Sequence, residues 1–300
     1  MCFKENDKYS FTNFLQKTSD KLKDIQVNAS KEISALFSLI DDPDEELFSC
    51  VSDKIVTLGA QIIPQLEDLW ENTISQEVQE RIELLIHRLH FQDLITDFTD
   101  WKNSGYASLL LGALLVVKFQ YPNIQSASVL HEVEKIRKNI WLELNSFLTP
   151  LEQAHVISSI LYSYYNLKGS AVAYTHPDNF FIHKTLQAKR GNVYTLGVLY
   201  LILTEAIDLP VRAINIPNQF VLAFFKSDKY AGIDVRNLQK HIHFFIDATS
   251  GFAFSHNDVL SYFGRINEIP LPEHFQPLSS KQVVKILLNE LSKCFKKPKE

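Results

Sequence analysis

The residues best placed to do chemistry lie in one stretch, Lys189 to Leu209. A basic pair and a glycine, Lys189-Arg190-Gly191, lead into Asn192-Val193-Tyr194-Thr195. An apolar run with helical spacing follows, through Leu196, Leu199, Leu203 and Ile207. A turn feeding a buried helix exposes backbone amides and the positive end of the helix dipole, a setting that lowers a thiol's pKa and suits acyl transfer. No residue from Asn192 to Thr195 is a cysteine. Two other clusters invite a reading. His241, His243 and Asp247 alternate along an aromatic strand and could offer two imidazoles and a carboxylate to a metal. Ser250, His256 and Asp258 share the composition of a hydrolase triad but fall within one short turn region. Hydrogen-bonded histidines explain the first cluster more simply, so no metal and no cofactor is expected.

The elements that must position these groups follow from pattern. The β-type runs Val211 to Ile216, Gln219 to Phe225 and His241 to Asp247 come after the central helix, and Pro217-Asn218 makes a tight turn between the first two. Gly191 is expected to form the tight turn that enters the helix. Ahead of it the chain is helical. Ser30 caps a helix to Ile40, Asp41-Asp42-Pro43-Asp44-Glu45 restarts the chain, and the next helix ends at Gly59. Ile62 to Trp70 and Ser75 to Leu89 supply two more, with Phe91 to Lys102 as a polar connector. The order "DDPDEE, apolar helix, LG, IIPQL" resembles HEAT-type helical repeats. Tyr106 to Phe119, Ser128 to Asn145, and Pro150 to about Asn166 are further helices. The second is expected to bury Leu130, Val133, Ile136, Ile140, Trp141 and Leu144 on one face. Asn257 to Phe263 and a last helix capped by Ser279 or Ser280 close the chain, and residues 7 to 27 suit an amphipathic lead-in helix.

Composition bounds the function. The chain has 300 residues, 46% hydrophobic, and a formal charge of −5 with mixed signs. That suffices for a sizeable core and gives no basic footprint for nucleic acid or a membrane surface. Lys296, Lys297 and Lys299 are read as a solvated tail. Cys2, Cys50 and Cys294 are odd in number and far apart, which argues for reduced thiols and a cytoplasmic address. The start MCFKENDKYS lacks an apolar signal core, and Tyr106 to Phe119 is too short to cross a bilayer.

Taken in order, the following blocks resemble the SirB-type family of bacterial transglutaminase-like proteins: His176-Pro177-Asp178-Asn179, Leu186, Lys189-Arg190-Gly191-Asn192-Val193, Leu199-Tyr200-Leu201, Leu209-Pro210-Val211, Ile216-Pro217-Asn218-Gln219-Phe220 and Ile246-Asp247. The resemblance runs over about residues 105 to 270. It implies an α+β fold: a largely helical N-terminal half (1–104, HEAT-like), then a transglutaminase-like, papain-like core (105–300) with a small antiparallel sheet packed on the central helix. It also implies where a thiol, a histidine and an aspartate would stand in an active relative, namely Val193, Gln219 and Asp247. Valine carries no nucleophile, and a glutamine amide does not accept a proton at physiological pH. Asp247 is then expected to satisfy local donors, Arg190 or a strand-end amide among them. The expectation is a catalytically silent protein whose former cleft, with Asn179, Arg190, Asn192, Tyr194 and Thr195, binds a protein or peptide. The alternative is a hydrolase or acyl-transfer enzyme with a non-standard or metal-assisted site.

Overall fold

The computed structural model describes residues 31–105, 107–227 and 234–295. The lead-in segment 7–27, Cys2, Ser30, Tyr106 and the three C-terminal lysines lie outside them. The chain divides into two compact units, Met1–Thr96 and Asp97–Glu300.

In the first unit, Asp44 caps helix α1 (Glu45–Leu58) by accepting from the amides of Glu46 and Leu47, and the acidic first turn complements the helix dipole. Helix α2 (Ile63–Asn72) begins with Pro64 in its first turn. These helices and α3 (Gln76–Asn103) enclose a core that includes Ile40, Val51, Ile55, Leu66, Ile82 and Leu85. The segment Phe91 to Lys102, expected to be a connector, is helical. No glycine or proline interrupts residues 76–103, so nothing in the backbone stops α3 after Leu89.

In the second unit, Ser108 caps α4 (Leu109–Lys118) and Trp101 donates its indole N–H to the Ser108 carbonyl at 2.8 Å. Helix α5 (Ser126–Glu143) buries Val129, Val133, Ile136 and Ile140. Leu130 and Trp141, expected on that face, are 45% and 61% exposed. The buried stripe uses the 3–4 spacing that starts at Val129, and Leu130 and Trp141 each sit one residue past it. A capping box between Thr149 and Glu152 opens α6 (Pro150–Ser158). The chain then widens into a π-helical turn, Ser159–Tyr164.

Helix α7 (Ile182–Ala188) ends at Lys189, whose φ of 53° supplies the left-handed residue expected at Gly191. Gly191 is needed for a different reason: a Cβ there would lie 2.8 Å from Thr185 Cγ2. Short strands β1 (Lys168–Gly169) and β2 (Arg190–Gly191) pair in parallel just before helix α8 (Val193–Glu205), which is buried almost throughout. A four-stranded antiparallel sheet follows: β3 (Val211–Ile216), β4 (Gln219–Phe225), β5 (Ile242–Ile246) and β6 (Ala253–Phe254) in that order. Its core includes Ile214, Phe225 and Phe245, covered by Phe263 of helix α9 (His256–Arg265). Helix α10 (Ser280–Ser292) turns Val283, Val284, Leu287 and Leu291 inward. The α+β class expected from the sequence is the class observed. No described helix is long and apolar enough to cross a membrane.

Candidate functional site

Asn192 makes the N-terminus of α8. It is fully buried, and its side-chain oxygen accepts from the amides of Tyr194 and Thr195, each at 3.0 Å. Extended backbone at Asn192 and this double bond explain why the helix starts where it does. Val193 follows at the first helical position, half-buried. One turn later, a Cβ on Gly197 would lie 2.5 Å from the Phe220 ring and 3.2 Å from Ala248 Cβ. Phe220 follows Gln219, and Ala248 follows Asp247. The helix start, the first residues of β4 and the end of β5 therefore converge on Gly197, and the pairing of Leu222 with Ile246 sets that convergence. Gln219 and Asp247 each stand one residue before a member of that contact, and Val193 stands four residues before Gly197.

The side chains there are engaged in structure. Asp247 accepts from the Thr249 amide at 2.9 Å, from the Thr249 hydroxyl at 2.8 Å and from the Ser250 hydroxyl at 2.6 Å. Its donors are local, as expected, but they come from residues two and three further on rather than from Arg190, which is exposed on β2. A carboxylate at the start of a turn captures the nearest amides and hydroxyls because no chain need be ordered to reach them. Gln219 is exposed at the start of β4. Thr195, 1% exposed, donates its hydroxyl to the Asn179 carbonyl at 2.7 Å. Tyr194 lies between Phe180 and Phe220, with ring centroids 6.3 and 5.5 Å away, and Tyr174 extends the row at 6.3 Å from Phe180. Burial, with Glu290 beside it, pushes the Tyr194 phenol up; burial and the 2.8 Å bond to Glu290 do the same for Tyr174. Both phenols stay protonated at physiological pH, so neither serves as a base.

The two other clusters do not assemble. His241 ends a 3-10 turn, so only His243 of the pair lies on β5. Among the described residues no group of three or more His, Cys, Asp or Glu side chains could hold a metal ion. Ser250 is bonded to Asp247, His256 Nε2 sits 3.0 Å from the Gln239 carbonyl, and Asp258 closes a capping box with Ser255. The described cysteines also lie elsewhere in the chain: Cys50 is exposed on α1, and Cys294 follows α10, its thiol pushed up by burial.

A family model described as the transglutaminase-like superfamily matches residues 127–289. The chain belongs to that superfamily. Within this transglutaminase-like protein the match takes in α8, the sheet and the positions Val193, Gln219 and Asp247. Protein SirB1 of Salmonella typhimurium is 22% identical over 128 residues, 43% of this chain and 46% of that protein. The UPF0162 protein of Haemophilus influenzae is 29% identical over 83 residues, 28% of this chain and 31% of that protein. F-box only protein 21 of Mus musculus is 25% identical over 79 residues, 26% of this chain and 13% of that protein. The SirB1 and UPF0162 relatives support the SirB-type branch. The chain spans less than half the length of these relatives, and no solved structure matches it.

Sequence reasoning missed a polar group under the site. His183 on α7 is 5% exposed, its ring centroid lies 4.7 Å from that of Tyr121, and its Nδ1 has no hydrogen-bond partner. Thr185 Oγ1 and Asn192 Nδ2 are likewise buried without partners. Burial first, then Lys184, lowers the His183 pKa against the smaller opposing pull of Asp178. The folded state thus binds this proton less readily than the unfolded state, and the stability that neutral His183 contributes is lost as pH falls below its unfolded value. Urea titrations between about pH 7.5 and 5 should show stability falling with acid, and a His183→Leu variant should show a shallower fall. Equal slopes would mean that His183 is not held neutral.

Proposed function

We propose that this transglutaminase-like chain is catalytically silent and acts as a binding module for a protein or peptide. The reading is supported by the residues that stand at the three expected positions. Valine stands for the nucleophile, an exposed glutamine for the base, and Asp247 is bonded to Thr249 and Ser250. Acyl transfer by this route needs an attacking atom and a proton acceptor within reach of one another, and neither side chain supplies one. The HEAT-like reading of the helices before residue 97 fits the same role, because helical repeats present extended surfaces to partners.

The test is turnover. Purified full chain is incubated with a glutamine-containing protein and a fluorescent amine, and separately with peptide and ester substrates. Product should not exceed that of buffer, and Asp247→Ala should behave as the parent does. Turnover in the parent that disappears in Asp247→Ala would overturn the proposal in favour of an enzyme with a non-standard site.

A further inference from the structure

One concavity in the Asp97–Glu300 unit has none of Val193, Gln219 and Asp247 in its lining. It is a groove of about 900 Å³ between the end of α5, the start of α6 and the π-helical turn, with Leu142, Leu148, Val156, Ile160 and Tyr164 among its lining residues. Leu142 is 71% and Tyr164 73% exposed. Two more exposed apolar side chains stand next to lining residues in the chain: Trp141 precedes Leu142 and is 61% exposed, and Phe147 precedes Leu148 and is 93% exposed. A π-helical turn is uncommon and is frequent at functional sites. Here it contributes Ser159, Ile160, Ser163 and Tyr164 to the wall.

Charge narrows the occupant. The groove is lined by Glu143 and Glu152 and by no lysine or arginine. Glu152 is held ionised because the Thr149 amide and hydroxyl both donate to one of its oxygens at 2.7 Å, which leaves the other oxygen open to a ligand. An apolar trough with an acidic rim is complementary to a segment that carries aliphatic anchors on one side and cations on the other. A small apolar molecule seated in the trough would leave the acidic rim without a counter-charge, whereas a basic helix laid along it supplies one. A strand is less well suited, because the walls come from helices and offer no free sheet edge.

We infer that this groove docks a basic amphipathic helix of a partner protein, and that it, rather than the aromatic-filled end of α8, is the recognition surface. The inference rests on the binding-module reading above and gives that reading a place and a partner chemistry.

The probe is a fluorescein-labelled peptide of leucine and lysine about five helical turns long, titrated into the full chain and read by anisotropy. Its leucine–glutamate counterpart has the same apolar face and serves as the control. The lysine peptide should bind and the glutamate peptide should not. Leu142→Glu and Glu143→Lys should each weaken binding at least about tenfold, while Ile269→Glu, an exposed site outside the groove lining, should leave it unchanged. Both groove variants alter exposed side chains, and matching thermal melts confirm that they fold. Equal binding of both peptides, or affinities indifferent to Leu142→Glu and Glu143→Lys, overturns the inference. So does sedimentation showing a dimer that Leu142→Glu splits, since a second copy of the chain would then be the occupant. Turnover in the assay above would remove the silent-module reading and leave this peptide result intact, so the two failures are separable.

Discussion

Valine in place of Gly197 should lower the unfolding free energy by about 3 kcal/mol. Glycine inside a helix is ordinarily unfavourable by about 1 kcal/mol relative to alanine, so its presence in the second turn of α8 needs a reason. The reason is steric: a Cβ would lie 2.5 Å from Phe220 Cε1 and 2.9 Å from Cδ1, with Ala248 at 3.2 Å. Phe220 is 5% exposed and Ala248 fully buried, so the ring has no free space to swing into. Overpacking of this kind costs about 1–3 kcal/mol, toward the upper end for the bulkier branched side chain. For Gly197→Ala the helical gain and the clash oppose each other, and the clash should win by about 1 kcal/mol. Chemical unfolding of both variants checks this, and Phe220→Leu in the Gly197→Val background should recover part of the loss. An alanine variant more stable than the parent would show that the close approach of strand and helix is not there.

Asp247→Ala should cost about 2–3 kcal/mol, because it strands three donors around one half-buried carboxylate. The Thr249 amide, the Thr249 hydroxyl and the Ser250 hydroxyl all point to Asp247, and its backbone carbonyl accepts from Gly251 at 2.7 Å. Asp247→Asn keeps an acceptor in place and should lose less than half as much. The pair of variants distinguishes two roles. A carboxylate that ties a turn shows its loss in the unfolding curve; one that orients a catalytic base would leave stability nearly intact and abolish turnover. An Asp247→Ala protein as stable as the parent would refute the turn role.

The central helix and the sheet were legible because their signals are strong and local. Ten consecutive residues from Thr195 to Thr204 are buried, and their apolar run starts directly after Asn192, a good helix cap. The strands after it are branched and aromatic, with Pro217-Asn218 between two of them. Phe91 to Lys102 misled because polarity was read as a connector, although helix continuation depends on the absence of breakers. Leu130 and Trp141 misled in the opposite way: helical spacing places them near the buried stripe, but only packing decides which apolar residues have a neighbour. The positions an active relative would use are expected from the order of short blocks. What holds them is not. Thr249 and Ser250 as partners of Asp247, and Phe180 and Phe220 flanking Tyr194, are settled by turn geometry and contacts between elements far apart in sequence. The His183–Thr185–Asn192 set of unpartnered buried atoms gave no pattern to read, since single polar residues in apolar surroundings look alike whether satisfied or not.

The widened turn at Ser159–Tyr164 makes chain length there matter more than side-chain identity. Such a turn holds one residue more than the α-helix around it, so removing any single residue would let the ladder close as an ordinary helix. Side chains before and after the turn would keep their bearings, because the extra residue is taken up inside it. Ser158, just before the turn, and Tyr162, inside it, donate to the carbonyls of Gly251 and Ala248, so a deletion between them would change the spacing at which they hold the loop after Asp247. A one-residue deletion there is thus felt first at the loop that closes the sheet.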